Sequence, residues 1–277
     1  KIIDVDTDRT NETCHEGGSL VFGNNRELFI STGDNTNPFL SHGAAPINEM
    51  PNHKFYDAQR SAGNSNDLRG AILRIIINED GSYAIPKGNL FTQKLKKTRP
   101  EIYIKGCRNP YKMSIDHKTN HIYWGEVGPD AGDKTHRGPM GYDELNQAKE
   151  AGYYGWPYFV GDEAYKDVDF SNIQSGKAFS STPKNDSPNN TGLKVLPEVK
   201  FPLLKYPYKK LDSFPDLGNG SRNAMAGPYY NQQGREASLP AYFDDTLFFY
   251  DWCRSKILLL KFNKDKKIKS LTPFMDS

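Results

Sequence analysis

The sequence predicts an all-β fold, and three observations support this prediction. Aromatic residues make up 12% of the 277 residues and include 16 Tyr, and residues of this kind are enriched in strands. The 24 Gly and 18 Pro are residues that favour tight turns. Short apolar and aromatic segments also recur in pairs along the chain. Together these features are typical of many short strands separated by turns, and long helices are not expected.

Three segments of the chain each pair a short strand with a second, aromatic-rich strand. The pairs are 19–23 with 27–31, 113–116 with 121–125, and 226–230 with 246–250, and further strands are predicted at 71–75 and 256–260. The first two pairs are joined by short polar turns, which favour β-hairpins. Repeated hairpins favour a sandwich or a radial propeller over an α/β fold, and their irregular spacing favours a propeller with long insertions.

The long insertions are predicted at residues 35–66, 130–141 and 170–197. Loops of this length in a compact domain are usually functional or disordered. The only predicted helix is a short turn over residues 144–150. A chain of this length fits one large all-β domain, so we predict a single β-propeller domain over residues 1–277 that is truncated at both ends.

The charge balance narrows the class of ligand. A net charge of +2 arises from 36 basic and 34 acidic residues spread along the chain, which does not favour nucleic acid or anionic lipid and leaves small or neutral ligands. No apolar segment approaches the roughly 20 residues that cross a membrane. Cys14, Cys107 and Cys253 lack C-x-x-C spacing, so zinc and thioredoxin-type chemistry are not expected.

A histidine and an aspartate flank the first predicted hairpin. His15 precedes its first strand and Asp34 follows its second strand. Because a hairpin brings its outer ends together, we expect the two side chains to lie on one edge, where the carboxylate would orient the imidazole as a general base. The alternative is a capping His and a turn Asp without catalytic function.

Two further turns offer polar groups at strand ends. Residues 106–110 include Arg108 and Asn109, and residues 125–130 include Gly128 and Pro129. Because Pro129 has no N–H, this second turn presents carbonyl oxygens of the kind that calcium prefers. The alternative interpretation is a pair of ordinary loop turns. Trp156, between Gly155 and Pro157, is interpreted as a buried indole at a junction between blades.

Taken in chain order, these motifs resemble the soluble PQQ-dependent glucose and aldose sugar dehydrogenases, which are related to sorbosone dehydrogenases. The matching segments are His15 with 18–20, 31–34, 67–75, 100–103, 106–110, 125–129, 143–146 and 154–157. Segments 31–39, 187–192 and 222–228 are similar to a branch found in large exported bacterial proteins. The resemblance covers nearly the whole chain.

The resemblance implies a six-bladed β-propeller with pyrroloquinoline quinone (PQQ) and calcium on its top face. It assigns roles to seven positions: His15 as the general base, Asp34 as its orienting group, Arg108, Asn109 and Arg254 as cofactor contacts, and the Gly128 and Pro129 carbonyls as calcium ligands. Three departures weaken the match. Val127 stands where the family has a glutamine, Arg254 would replace a family lysine, and the family's C-terminal arginine pair falls beyond Ser277.

The implied function is PQQ-dependent oxidation of a sugar hydroxyl, with calcium assisting hydride transfer to the quinone. The electrons would pass to a cytochrome c or another acceptor in a periplasmic or extracellular location. A non-catalytic β-propeller module that binds carbohydrate or protein is the alternative, favoured by the missing glutamine and lysine and opposed by the presence of His15 with Asp34. Metal-dependent sugar hydrolysis or lyase chemistry is a third class, with Asp34, Glu126 and Asp143 as candidate carboxylates.

Overall fold

The computed structural model describes residues 1–169, 171–172, 174–232 and 239–274. Within these ranges the chain forms strands joined by turns and four short 3₁₀ helices. The strands are β1 (Leu20–Phe22), β2 (Glu27–Thr32), β3 (Ala71–Ile77), β4 (Tyr83–Ala84), β5 (Ile102–Lys105), β6 (Pro110–Asp116), β7 (His121–Glu126), β8 (Asp143–Ala148), β9 (Gly152–Tyr153), β10 (Phe159–Val160), β11 (Glu163–Ala164), β12 (Lys166–Asp169), β13 (Gln174–Ala178), β14 (Leu204–Tyr206), β15 (Ala224–Tyr230), β16 (Thr246–Asp251), β17 (Lys256–Phe262) and β18 (Ile268–Pro273). The 3₁₀ helices are Lys54–Tyr56, Ala58–Arg60, Pro215–Leu217 and Ala241–Phe243.

Three sheets, antiparallel apart from strand β9, carry most of these strands. The first contains β1, β2, β3 and β5 in that order, with β4 beside β3 and β9 parallel to β5. The second contains β6, β7, β8 and β14, and the third contains β15 to β18. In each sheet the four main strands run up and down in chain order, and all three predicted hairpins are confirmed. The all-β prediction is therefore confirmed.

The prediction of a helix at residues 144–150 is wrong, because residues 144–148 belong to strand β8. Leu145 pairs with Gly125 of β7 on one side and with Leu204 of β14 on the other. The Leu145 side chain is also completely buried. Two neighbouring strands satisfy the backbone on both edges, and this tertiary pairing outweighs the local helix preference of Glu, Leu, Gln and Ala.

The second sheet lies between the other two. Successive residues of a strand point to opposite faces, and on β7 Trp124 packs with Phe29 and Ile104 of the first sheet. Its neighbour Tyr123 packs with Leu247 and other residues of the third sheet. Four-stranded antiparallel sheets that pack face to face around an axis are the building units of a β-propeller.

The insertion at residues 35–66 is an ordered layer that begins directly after Asp34. Its Ala45, Ile47 and Ala58 are fully buried in a cluster that includes Trp156. The side chain of Asp57 accepts hydrogen bonds from Ser187 Oγ (2.6 Å) and Asn189 Nδ2 (2.9 Å), which ties this insertion to the one at residues 170–197. Residues 170 and 173 of the latter lie outside the described residues.

Candidate active site

The first hairpin brings His15 and Asp34 together as predicted. His15 Nδ1 lies 3.0 Å from Asp34 Oδ1, and the aspartate side chain is completely buried while the histidine side chain is 12% exposed. Because an ionised carboxylate only accepts hydrogen bonds, this contact assigns the imidazole hydrogen to Nδ1. The lone pair of Nε2 is then free to accept a proton.

Two further donors fix the carboxylate of Asp34. The indole Nε1 of Trp156 donates to Oδ2 at 2.7 Å, and the backbone N–H of Thr36 donates to Oδ1 at 3.1 Å. The prediction that Trp156 is buried is confirmed, but sequence reasoning missed its contact with Asp34. The position of a tryptophan between Gly155 and Pro157 was the only signal available for it.

The backbone around His15 leaves no room for a larger residue at position 33. His15 has a left-handed backbone (φ 65°), and its carbonyl oxygen accepts a hydrogen bond from the Asn35 N–H at 3.0 Å. A Cβ atom built on Gly33 would lie 1.8 Å from that carbonyl oxygen. Only glycine allows this approach of the two backbones, and the approach sets the position of the imidazole.

Arg108 adjoins the His15–Asp34 pair through its backbone and its side chain. Its carbonyl oxygen accepts the N–H of Asp34 at 2.8 Å, and its guanidinium carbon lies 5.7 Å from the centroid of the Trp156 ring. Burial, reinforced by the charge of Arg108, lowers the pKa of His15 even though Asp34 opposes the shift. The imidazole is therefore neutral near pH 7, as a general base requires.

Glu126, the last residue of β7, hydrogen-bonds to the turn that contains Arg108 and Asn109. No orienting role was assigned to Glu126 from the sequence. One carboxylate oxygen of Glu126 accepts the backbone N–H groups of Arg108 and Asn109 (3.0 Å for Asn109), and the other accepts Trp124 Nε1 at 3.1 Å. Burial and the cross-strand carboxylate of Glu144 raise the pKa of Glu126. Glu126 thus holds the turn that carries Arg108 and Asn109.

A cavity of about 480 Å³ opens beside this turn. Its lining residues belong to strands of the second and third sheets or directly adjoin their ends, and are Asn109, Tyr111, Lys112, Val127, Asn223, Met225, Tyr250 and Trp252. A cavity of this size is within the range of small-molecule sites, and its aromatic walls with one lysine suit a flat anionic ring system such as PQQ. The residues present therefore fit the quinone cofactor.

The Gly128-Pro129 turn fits a calcium ion less well. The Gly128 N–H donates to Asp143 Oδ1 at 3.0 Å. The carbonyl oxygen of Pro129, one of the two predicted ligands, accepts a hydrogen bond from Arg222 Nη2 at 2.9 Å. Calcium at this oxygen would meet a guanidinium directly beside it, and like charges at such distances repel. Among the described residues, no group of three or more His, Cys, Asp or Glu side chains could hold a metal ion.

Arg254 does not join this group of residues in the described part of the chain. Its guanidinium donates to backbone carbonyl oxygens of one loop, those of Pro207, Leu217, Gly218, Gly220 and Ser221. The side chain is 2% exposed. Arg254 therefore stabilises this loop. Its contact with a cofactor stays a prediction, and the side chain would have to break these hydrogen bonds to make that contact.

Comparison with known proteins relates the chain to sugar dehydrogenases. The family model described as Glucose / Sorbosone dehydrogenase matches residues 1–189. HIPL1 protein of Arabidopsis thaliana is 25% identical over 231 residues, which cover 79% of this chain and 26% of that protein.

In the described ranges, no helix is long and apolar enough to cross a membrane.

Solved structures show the same fold. A putative oxidoreductase (glucose dehydrogenase) of Thermus thermophilus has a TM-score of 0.55 and 19% identity over 99% of this chain and 56% of its own. The PQQ-bound aldose sugar dehydrogenase of Streptomyces coelicolor has a TM-score of 0.50 and 16% identity over 95% of this chain and 50% of its own. The chain thus spans about half the length of these structures, and about a quarter to two-fifths of the curated relatives.

Proposed function

Because the chain belongs to the glucose/sorbosone dehydrogenase family, we propose that it carries the general-base half of a PQQ-dependent site that oxidises a sugar hydroxyl. The observation that carries this proposal is the His15–Asp34 pair, with a 3.0 Å contact to a fully buried carboxylate. A capping His or turn Asp has no need of a carboxylate fixed by Trp156 and Thr36. An imidazole that acts as a general base does need such a carboxylate, because the carboxylate keeps the neutral ring oriented.

In this proposal the chain's own residues bind, orient and accept a proton. His15 Nε2 takes the proton of the sugar hydroxyl, and Asp34 stabilises the imidazolium that results. When PQQ is bound, its quinone supplies the hydride acceptor. Arg108 supplies positive charge next to the pair, where negative charge develops during hydride transfer.

The family fold supports a wider proposal about the whole molecule. The three sheets would be three blades of a six-bladed β-propeller that carries the cofactor on one face. A cytochrome c or another acceptor would remove the electrons, in a periplasmic or extracellular location. A non-catalytic binding module is not favoured, because such a module would not require the imidazole and carboxylate geometry of His15 and Asp34.

Calcium at the Gly128 and Pro129 carbonyls stays a prediction of the family resemblance. It requires Arg222 to leave the Pro129 oxygen that it contacts. No step of the proposed mechanism is assigned to the metal, since the acid–base chemistry of His15 does not depend on it.

Sugar-dependent dye reduction tests the proposed function. The full natural protein is loaded with PQQ, supplied with an artificial electron acceptor, and screened against aldoses beside a His15→Gln variant. We expect reduction with at least one aldose, and a loss of about 10²–10⁴-fold in kcat for the variant, which is the usual contribution of a general base.

His53→Gln is the matched control, because His53 is a half-buried histidine in the 35–66 insertion whose Nδ1 lies 2.9 Å from the Pro51 carbonyl oxygen and not from a carboxylate. It should reduce the dye at the wild-type rate. A His15→Gln variant that binds PQQ and keeps wild-type turnover would remove His15 from the mechanism. If the folded protein binds no PQQ, the quinone cofactor and the proposed function are both ruled out.

A further inference from the structure

A β-bulge interrupts strand β6 at the wall of the 480 Å³ cavity. Pro110 pairs with Glu126 and Lys112 pairs with Gly125, so Tyr111 is an extra residue with no partner of its own on β7. Successive residues of a regular strand point to opposite faces, and a bulge breaks this alternation and redirects side chains. Tyr111 and Lys112 are accordingly both exposed, and both line the cavity.

Lys112 is the only charged residue among the described residues that line this cavity. Its Nζ lies 5.5 Å from the centroid of the Tyr111 ring, and no carboxylate in the described part of the chain forms an ion pair with it. Asp251, at the end of β16, is completely buried and accepts hydrogen bonds from Tyr206 Oη at 2.7 Å and from the Asn223 N–H at 3.2 Å. A cation without a carboxylate partner in an otherwise neutral cavity favours an anionic ligand.

Aromatic rings from two sheets line the same cavity. Tyr111 belongs to the second sheet, and Tyr250 and Trp252 lie in and directly after β16 of the third sheet. Tyr111 is 40% exposed and Trp252 is 72% exposed, so large parts of both rings are accessible. Exposed rings of this kind stack on flat ligands. Charge and shape together therefore favour a planar aromatic anion.

The cavity also reaches the hairpin that carries His15. Asn109 lines the cavity, and its Oδ1 accepts the backbone N–H of Gly17, two residues after His15, at 3.0 Å. A Cβ atom built on Gly33 would lie 2.7 Å from the same Oδ1. A ligand held in the cavity is therefore next to the hairpin that presents the proposed general base.

We propose that Lys112 binds a carboxylate of the anionic quinone cofactor, and that the same bulge positions Tyr111 to contact the ring system. The inference rests on the proposed function, because it concerns the cofactor of that site. It places the positive charge on β6 and not in the turn after β16, where the family resemblance placed it at Arg254. The guanidinium of Arg254 is bound to backbone carbonyls of one loop, whereas Lys112 is exposed to the cavity. A lysine ammonium on its flexible stem can pair with a carboxylate in such a position.

The test measures PQQ affinity by titration calorimetry on the full natural protein, which reports binding without any turnover. Calcium chloride is present throughout, so that any metal requirement is met in every variant. Lys112→Met keeps a long apolar side chain and removes the charge. We expect it to raise the dissociation constant by about tenfold or more, the effect of losing a charge-assisted hydrogen bond. Lys112→Arg keeps the charge and should stay within about threefold of wild type.

A change to the ligand tests the same contact from the other side. The trimethyl ester of PQQ keeps the ring system and loses the carboxylate charges. If Lys112 recognises a carboxylate, wild type and Lys112→Met should bind this ester with dissociation constants that agree within about twofold. The difference between the two proteins should therefore be present with PQQ and absent with the ester, because an ion pair needs both charges.

Lys118→Met is the matched control. Lys118 lies in the turn at the other end of the same hairpin, where its half-exposed side chain pairs with Asp244 at 3.1 Å, and its substitution should leave PQQ affinity unchanged. Lys112→Met that binds PQQ as tightly as wild type, or Lys112→Arg that loses as much affinity as Lys112→Met, would overturn the inference alone. An equal loss of affinity for the ester would do the same. No PQQ binding by the wild-type protein would overturn both the inference and the proposed function.

Discussion

Replacing Trp156 with phenylalanine tests whether the indole tunes the candidate base. The substitution removes the 2.7 Å hydrogen bond to Asp34 Oδ2 inside a fully buried environment. A hydrogen bond to a charged group contributes about 1.5–3 kcal/mol, so the free energy of unfolding should fall by about that amount. The charge on Asp34 is then less dispersed and stabilises protonated His15 more strongly, so the pKa of His15 should rise from its lowered value.

Both effects can be measured on the chain without cofactor. Urea denaturation gives the free energy of unfolding, and nuclear magnetic resonance of isotope-labelled histidine gives the titration of His15, assigned with the His15→Gln variant. Trp124→Phe is the matched control, because that indole donates to Glu126 rather than to Asp34. It should lose comparable stability and leave His15 unchanged. An unchanged His15 titration in Trp156→Phe, or equal shifts in both variants, would refute the reasoning.

Two further predictions concern stability. The pKa of Glu126 is raised from 4.5 by burial and by Glu144, so the folded state retains a proton that the unfolded state loses, and the free energy of unfolding should decline as pH rises above about 4.5. In denaturation curves measured across pH, Glu126→Gln should show a smaller decline. An equal or steeper decline would contradict the raised pKa of Glu126. Leu247→Ala removes a fully buried side chain from the core between the second and third sheets and should cost about 2–5 kcal/mol. Ile257→Ala, at a 44% exposed position of the same sheet, should cost less than about 1 kcal/mol in the same denaturation assay, and equal losses would show that this core is not packed as described.

The hairpins and the His15–Asp34 pair could be predicted because their determinants are local. A polar turn joins Leu20–Phe22 to Glu27–Thr32, and the geometry of a hairpin alone brings its outer ends together. Strand β8 was mistaken for a helix because its determinants are not local. Its residues have good helix propensity, and only the pairing with β7 and β14 makes them a strand.

The supporting residues of the site were harder to predict for the same reason. Trp156 reaches Asp34 across 122 residues of sequence, and Arg222 reaches Pro129 across 93. A single sequence contains no signal for contacts at such separations unless a motif marks both partners. Glu126 stood inside a recognised turn, but the number of backbone donors that its carboxylate accepts depends on how β6 and β7 are aligned.

The close contact between Gly33 and the His15 carbonyl makes one position unusually sensitive to genetic change. Glycine and alanine codons differ by a single base, and alanine is the least disruptive replacement at most surface positions. At position 33 the methyl group of alanine would lie 1.8 Å from the His15 carbonyl oxygen. The two outer ends of the hairpin would have to separate, and the His15 imidazole would move with them. A protein engineer who alters this site should therefore change side chains that line the 480 Å³ cavity, and keep position 33 fixed.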